Sequence, residues 1–225
     1  MAVTDHDHLH DHDHVDAPVA PTREDAVRRA RWLNVATIGW NGTEGVVAVA
    51  AGVAAGSVSL VGFGFDSAIE VSAALILAWR LHRERQEGCR QADDHRATRA
   101  IAVSFAILAV YVGVGSFRAL VSGSEPDASV VGIVMATLSL VLMPFLARAK
   151  LALAPALGSA AVVADAQQTN LCALLSGVLL VGLSANAVLG WWWADPLAGL
   201  AIAGIALAEA RRTWFAESLE DTCCA

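Results

Sequence analysis

In the stretch GFGFDSAIEV, Asp66 and Glu70 stand four residues apart inside a run otherwise apolar enough to cross a bilayer. On a helix, positions i and i+4 share one face, so both carboxylates meet the same surroundings. An isolated charge at mid-bilayer costs about 2.5–3.5 kcal/mol on insertion scales, and such residues usually face a protein interior or a water-filled cavity. Two carboxylates this close in a low dielectric cannot readily both ionise. A divalent cation removes the repulsion and stabilises both anions. The pair therefore reads as a site that exchanges protons for a metal ion. The plainer alternative is a hydrogen-bonded structural pair that stays protonated.

A second stretch, VVADAQQTNLCALLS, offers a matching face. Asp165, Gln168, Cys172 and Ser176 follow i, i+3, i+7 and i+11, one stripe of a helix. Carboxylate, amide oxygen and thiolate are all metal ligands, and Cys172 tilts preference toward softer ions such as Zn²⁺ or Cd²⁺. Against this, Gln168 and Thr169 could join helices by hydrogen bonds while Cys172 packs as a small hydrophobe. In GWNGTEGVV, Asn41 and Glu44 share a face. Glu44 either completes a cavity or proton relay with Asn41, or serves as the interhelical partner of a hydroxyl. Asp195 in WWWADP reads as the cap of the helix it opens, since Asp before Pro is a start signal. Trp191–Trp193 read as an interfacial aromatic belt. The glycines of GFGFDS lack the strand–helix context of a phosphate loop and read as packing glycines.

The N-terminal DHDHLHDHDH places His6, His8, His10, His12 and His14 in alternation with acids. Such a segment cannot bury enough apolar surface to fold, so disorder is expected. It can wrap imidazoles around Zn²⁺, Ni²⁺ or Co²⁺, or be merely a solvated acidic tail. In EDTCCA, Cys223 and Cys224 are expected to be reduced cytoplasmic thiols and a second capture point for soft metal.

The elements that must position these groups follow from composition. The 225 residues are 56% hydrophobic and 16% charged, where a soluble domain has about a quarter charged residues. An all-α integral membrane protein is expected. Apolar runs near the required length of roughly 20 residues fall at about 32–56, 58–79, 100–121, 128–147, 157–189 and 191–208. The fifth is long for one span and carries Asp165–Asn170 in its interior. All but Arg118 of the 15 Lys and Arg lie before Trp32, in the loop 80–99, at Arg148/Lys150 or at Arg211/Arg212. By the positive-inside rule these places share the cytoplasmic side. The expectation is six transmembrane helices with both termini cytoplasmic: a tail at 1–30, the membrane domain at 31–212 and a short tail at 213–225.

Several classes are excluded. No apolar h-region precedes the first span, so no cleavable signal is expected. No interleaving of basic and aromatic residues suggests nucleic acid. The net charge of −7 comes from acidic tails and buried acids and does not imply an acidic-surface partnership. No HExxH, no Ser–His or Ser–Lys pairing on a span and no spanning His suggests an enzyme, and no prosthetic group is expected.

Six spans with both ends inside, GFGFDSAIEV in the second, VVADAQQTNLC in the fifth and WWWADPLAGLAIAG opening the sixth resemble the cation diffusion facilitators over roughly Trp32–Glu220. The resemblance implies their six-helix bundle, a homodimer working by alternating access, and efflux of Zn²⁺ or a related ion (Cd²⁺, Co²⁺, Ni²⁺) by proton antiport across the cytoplasmic (inner) membrane. The partners implied are metal ions, protons and the lipid bilayer. The family's site takes two acidic or His residues four apart on the second helix and an HxxxD pair on the fifth. By position these are Asp66 and Glu70, then Gln168 and Cys172 in place of His and Asp, with Asp165 a substitute ligand one turn away. Such proteins commonly carry a soluble metal-binding domain after the sixth helix; a short form without it is expected here, the His/Asp tail taking part of its loading role. The rival reading is a non-transporting membrane metal sensor or chaperone.

Overall fold

The computed structural model describes residues 23–87, 92–157 and 160–215, which form six helices: α1 (Arg23–Ala55), α2 (Val58–Glu87), α3 (Ala92–Ser122), α4 (Val130–Leu157), α5 (Ala160–Leu189) and α6 (Ala194–Phe215). Among the described residues there is no strand. A helix satisfies its backbone groups internally, which is what an apolar solvent demands. Four helices are long and apolar enough to cross a membrane, over Val58–Leu75, Arg99–Ser122, Val130–Leu157 and Asp165–Leu189. The outward faces agree: Val46, Val53, Val110, Val121, Val181 and Val188 are all exposed. A water-facing surface carrying such a continuous apolar coat would aggregate; facing lipid it is stable. The chain is an integral membrane protein.

The helices differ from the apolar runs in informative ways. α1 begins at Arg23, inside the stretch assigned to the tail, with Glu24 and Asp25 in its first turn, where acids complement the helix dipole. The ambiguous fifth run is a single helix of 30 residues. Asp165 lies near its start, one to two turns in, and not at its middle. α4 continues through Lys150 to Leu157 despite Pro144 and Pro155, so Lys150, counted with Arg148 among the cytoplasmic-side charges, lies within a helix. It is buried within the bundle.

Successive helices alternate in direction, as the pairings of early with late positions show. Asn34 on α1 donates to the Ala74 carbonyl on α2 at 3.1 Å, Arg212 on α6 donates to Gln167 on α5 at 3.0 Å, and the Arg99 guanidinium of α3 lies over Trp214 of α6. At the opposite end, the Asp127 N–H donates to the Ala55 carbonyl at 2.8 Å and Asn186 donates to the Pro126 carbonyl at 2.8 Å. Laterally, α2 packs on α1, α3, α5 and α6, while α4 packs on α1 and α5. Thus α2, α1, α4 and α5 close a ring of four helices, with α3 flanking it against α2 and α6 against both α2 and α5. Phe63, Phe105, Met143, Leu175, Leu179 and Ile202 are fully buried within this framework.

Small residues let the ring close tightly on its α1–α2 side. A Cβ added at Gly64 would stand 2.9 Å from the Gly45 carbonyl oxygen and 2.9 Å from the Val49 nitrogen, and one at Gly45 would stand 3.1 Å from the Gly64 carbonyl oxygen. The two backbones are in direct contact, as small-residue positions allow between membrane helices. The hairpin between them turns at Gly56, with φ of 66°, a left-handed conformation that favours glycine. Ser57 then caps α2 by accepting the Leu60 N–H at 3.1 Å.

Asp195 does not cap its own helix as its sequence context suggests. It lies in the first turn of α6, is 1% exposed, and reaches across to the start of α2. There it accepts the Ser57 hydroxyl at 2.7 Å and the Ser59 hydroxyl, and faces the N–H groups of Val58 and Ser59. An α2 N-terminus with its dipole and free donors is thereby satisfied by a carboxylate from α6.

Three outcomes follow for stability. Gly64→Ala should lower the thermal unfolding temperature in detergent, by an overpacking cost of about 1–3 kcal/mol. Gly39→Ala, where an added Cβ meets nothing within 4 Å, should leave it unchanged or raise it. Asp195→Ala should likewise destabilise, by about 1–3 kcal/mol for the donors left unpaired, as read by the same melts.

Candidate metal centre

The α1–α2 backbone contact places the acids. With Gly45 against Gly64, Glu44 on α1 lies beside Ser67 on α2, whose hydroxyl donates to Glu44 Oε2 at 3.1 Å. Asp66 and Glu70 project from the same helix toward the interior of the four-helix ring. Glu44, Asp66 and Glu70 are each 0% exposed, and the three lie within range of one another's charge. On the α5 side, Cys172 is also 0% exposed, and its thiol sits 3.9 Å from Glu44 Oε2. From α4, Ser139 accepts the Trp40 indole N–H at 3.4 Å beside Glu44.

Much of this oxygen inventory has no partner. Both carboxylate oxygens of Asp66, Glu70 Oε2, Glu44 Oε1 and Asn41 Oδ1 are buried without a hydrogen bond from any described residue. Buried polar atoms are nearly always hydrogen-bonded in folded proteins, so five unpartnered oxygens in one region form a cluster with a chemical purpose. Protonated, a carboxyl is neutral and tolerates the interior; ionised, it needs a cation. The cluster can therefore hold protons or cations, and little else.

In the conformation described, no three His, Cys, Asp or Glu side chains among the described residues converge closely enough to hold a metal ion. The candidate ligands are gathered around one interior but spread over facing helices. Asn41 lies one turn from Glu44 on the same buried face. Gln168 and Cys172 lie one turn apart on the buried face of α5, and Ser176 above them spends its hydroxyl on the Cys172 carbonyl at 2.7 Å. The predicted α5 stripe is thus an inward face, all four members buried. His6, His8, His10, His12, His14, Cys223 and Cys224 lie outside the described residues.

Asp165 is engaged elsewhere. Its Oδ2 pairs with Lys150 Nζ at 2.8 Å, both side chains buried. Lys150 also donates to Thr169 Oγ1 at 2.9 Å, and that hydroxyl is 2.8 Å from Glu70 Oε1. The sequence does not single out Lys150, Ser67 or Ser139. For Lys150 a signal exists: LARAKLALAPAL continues apolar on its far side, unlike the arginine-rich loops. For Glu44, the hydroxyl partner considered from sequence is present as Ser67, while its second oxygen is buried without a hydrogen bond among the described residues.

The family model described as the cation efflux transmembrane domain matches residues 36–219. It begins partway along α1, continues through α2 to α6 and includes every acid of the interior cluster. A comparison with curated proteins gives no match.

Proposed function

The chain belongs to the cation efflux family of metal-ion transporters, and from that membership and the interior acid cluster we propose that it expels a divalent ion, Zn²⁺ or a close relative, in exchange for protons. The single observation that carries this reading is the group of buried, unpartnered oxygens on Asp66, Glu70 and Glu44. Carboxylates in such surroundings exist either protonated or cation-bound. Ion binding and proton release are then one event, because the ligands must lose their protons to coordinate.

In this reading all six helices cross the membrane. Their alternating directions put both termini on one side, the arginine-bearing cytoplasmic face of the inner membrane. Asp66 and Glu70 provide the anionic half of the site. Gln168 and Cys172 provide the α5 half, and the thiol favours softer ions. A transported ion draws α2 and α5 together around itself, and opening toward the other side returns the carboxyls to protons. Asn41 and Glu44 border the same interior and extend it toward α1. The His-rich tail captures ions before they enter, and the protein acts as a transporter rather than an enzyme, as a homodimer in the manner common to such proteins.

Purified full-length protein in proteoliposomes, with trapped metal and pH dyes, tests this directly. Zn²⁺, Cd²⁺, Co²⁺ and Ni²⁺ are supplied in turn. The expected outcome is metal uptake with opposite proton movement, reduced at least about 100-fold in Asp66→Ala and in Glu70→Ala, as for the loss of a charged ligand group. No flux of any ion, with metal still bound by the protein, would favour the sensor reading instead. Deleting residues 5–16 should raise the ion concentration needed for half-maximal uptake and leave the maximal rate intact; unchanged uptake at low metal would remove the tail from the mechanism.

A further inference from the structure

Lys150 is a buried cation in the same ring as the acids, at 3% exposure. It holds two partners at once. Asp165 Oδ2 is 2.8 Å from its ammonium, and Thr169 Oγ1 accepts from it at 2.9 Å. A hydroxyl that accepts from an ammonium donates more strongly, and of the two acceptors in reach of Thr169, Glu70 Oε1 at 2.8 Å is nearer than the Asp165 carbonyl at 3.1 Å. The result is a chain of contacts running Asp165, Lys150, Thr169, Glu70, which ties α4 and α5 to the acid helix α2. It leaves one oxygen of Asp165 and one of Glu70 unpartnered.

We propose that Lys150 is a tethered counter-cation of the transport site, held one hydroxyl away from Glu70 by Asp165, so that it tunes divalent-ion affinity while Asp165 positions Lys150 and does not coordinate the ion. This rests on the transport reading of Asp66 and Glu70. The physical case is one of charge. Several carboxyls share this interior with a single ammonium, and in a low dielectric a fixed positive charge opposes a second cation nearby. A site built only of acids would hold a divalent ion too firmly to release it. A lysine linked through Thr169 weakens that hold, and its pairing with Asp165 limits how far it weakens it. Lys150 is thus a positioning and affinity-setting residue, acting through Thr169 and Glu70.

The pairing could instead be only structural, and the two roles differ in sign. Uptake of Zn²⁺ and of Cd²⁺ by the full chain in proteoliposomes is measured across ion concentration, separating KM from maximal rate. With the opposing charge removed, Lys150→Met should lower KM about tenfold and slow turnover, since a tightly held ion leaves slowly. Asp165→Asn releases the ammonium toward Glu70 and should raise KM about tenfold. The double variant should keep the lowered KM of Lys150→Met, because Asp165→Asn acts only through an ammonium that is no longer there.

A structural pair would leave KM alike in all variants that fold and change only their melting temperature, which overturns the proposal. If Asp165 is a ligand, the double variant keeps the raised KM of Asp165→Asn, which overturns it as well. Should Lys150→Met fail to fold, the comparison of Asp165→Asn with the double variant still reads the sign. A wild type that takes up neither ion overturns the transport reading, and this proposal with it; a transporting wild type with unshifted variants overturns this proposal alone.

Discussion

A carboxylate buried in an apolar bundle has to be neutralised, and the interior of this protein is organised around that requirement. Each buried acid meets it differently. Asp165 has the Lys150 ammonium. Asp195 has two hydroxyls and the donor-rich start of α2. Glu44 has a hydroxyl and a thiol on one oxygen. Asp66 has no described partner on either oxygen, and Glu70 has one hydroxyl. Partnering falls away toward Asp66 and Glu70, the two residues from which metal chemistry was first inferred. The same element thus carries satisfied polar groups at its start, where they fasten the fold, and unsatisfied ones deeper in, where exchangeable cations can serve.

The fold delivers this gradient through close packing of the ring. Glycine contact between α1 and α2 brings Glu44 within reach of Ser67. On the other side, Thr169 of α5 touches Glu70 of α2 and Cys172 of α5 faces Glu44 of α1. Membership of the cation efflux family accounts for the general task. The amide at 168, the thiol at 172 and the lysine paired with Asp165 lie in the same interior as the acids.

The acids were legible in the sequence because two carboxylates stand out in an apolar run, and helical spacing fixes their shared face. The α5 stripe was legible for the same reason, and its four members are indeed inward. What periodicity cannot convey is which helix lies opposite. Asp195 looked like a local cap, since Asp-Pro signals a helix start, yet its target is 138 residues away on α2. Lys150 looked like an interfacial charge because Arg148 stands beside it; only the path of α4 past Pro155 and the position of Asp165 on the neighbouring helix show it turned inward. Local signals locate ionisable groups. Their partners belong to tertiary structure.

The Gly45–Gly64 contact also constrains how such a molecule can move. Two backbones in van der Waals contact interlock, so α1 and α2 travel as one rigid body, and sliding between them would drive carbonyl oxygens into neighbouring Cα atoms. The α2–α5 seam is bridged by rotatable side chains, Thr169 against Glu70. Rotatable side chains accommodate displacement that touching backbones resist. The unpartnered oxygens of α2 thus border a seam of side chains on one side and a seam of backbone on the other.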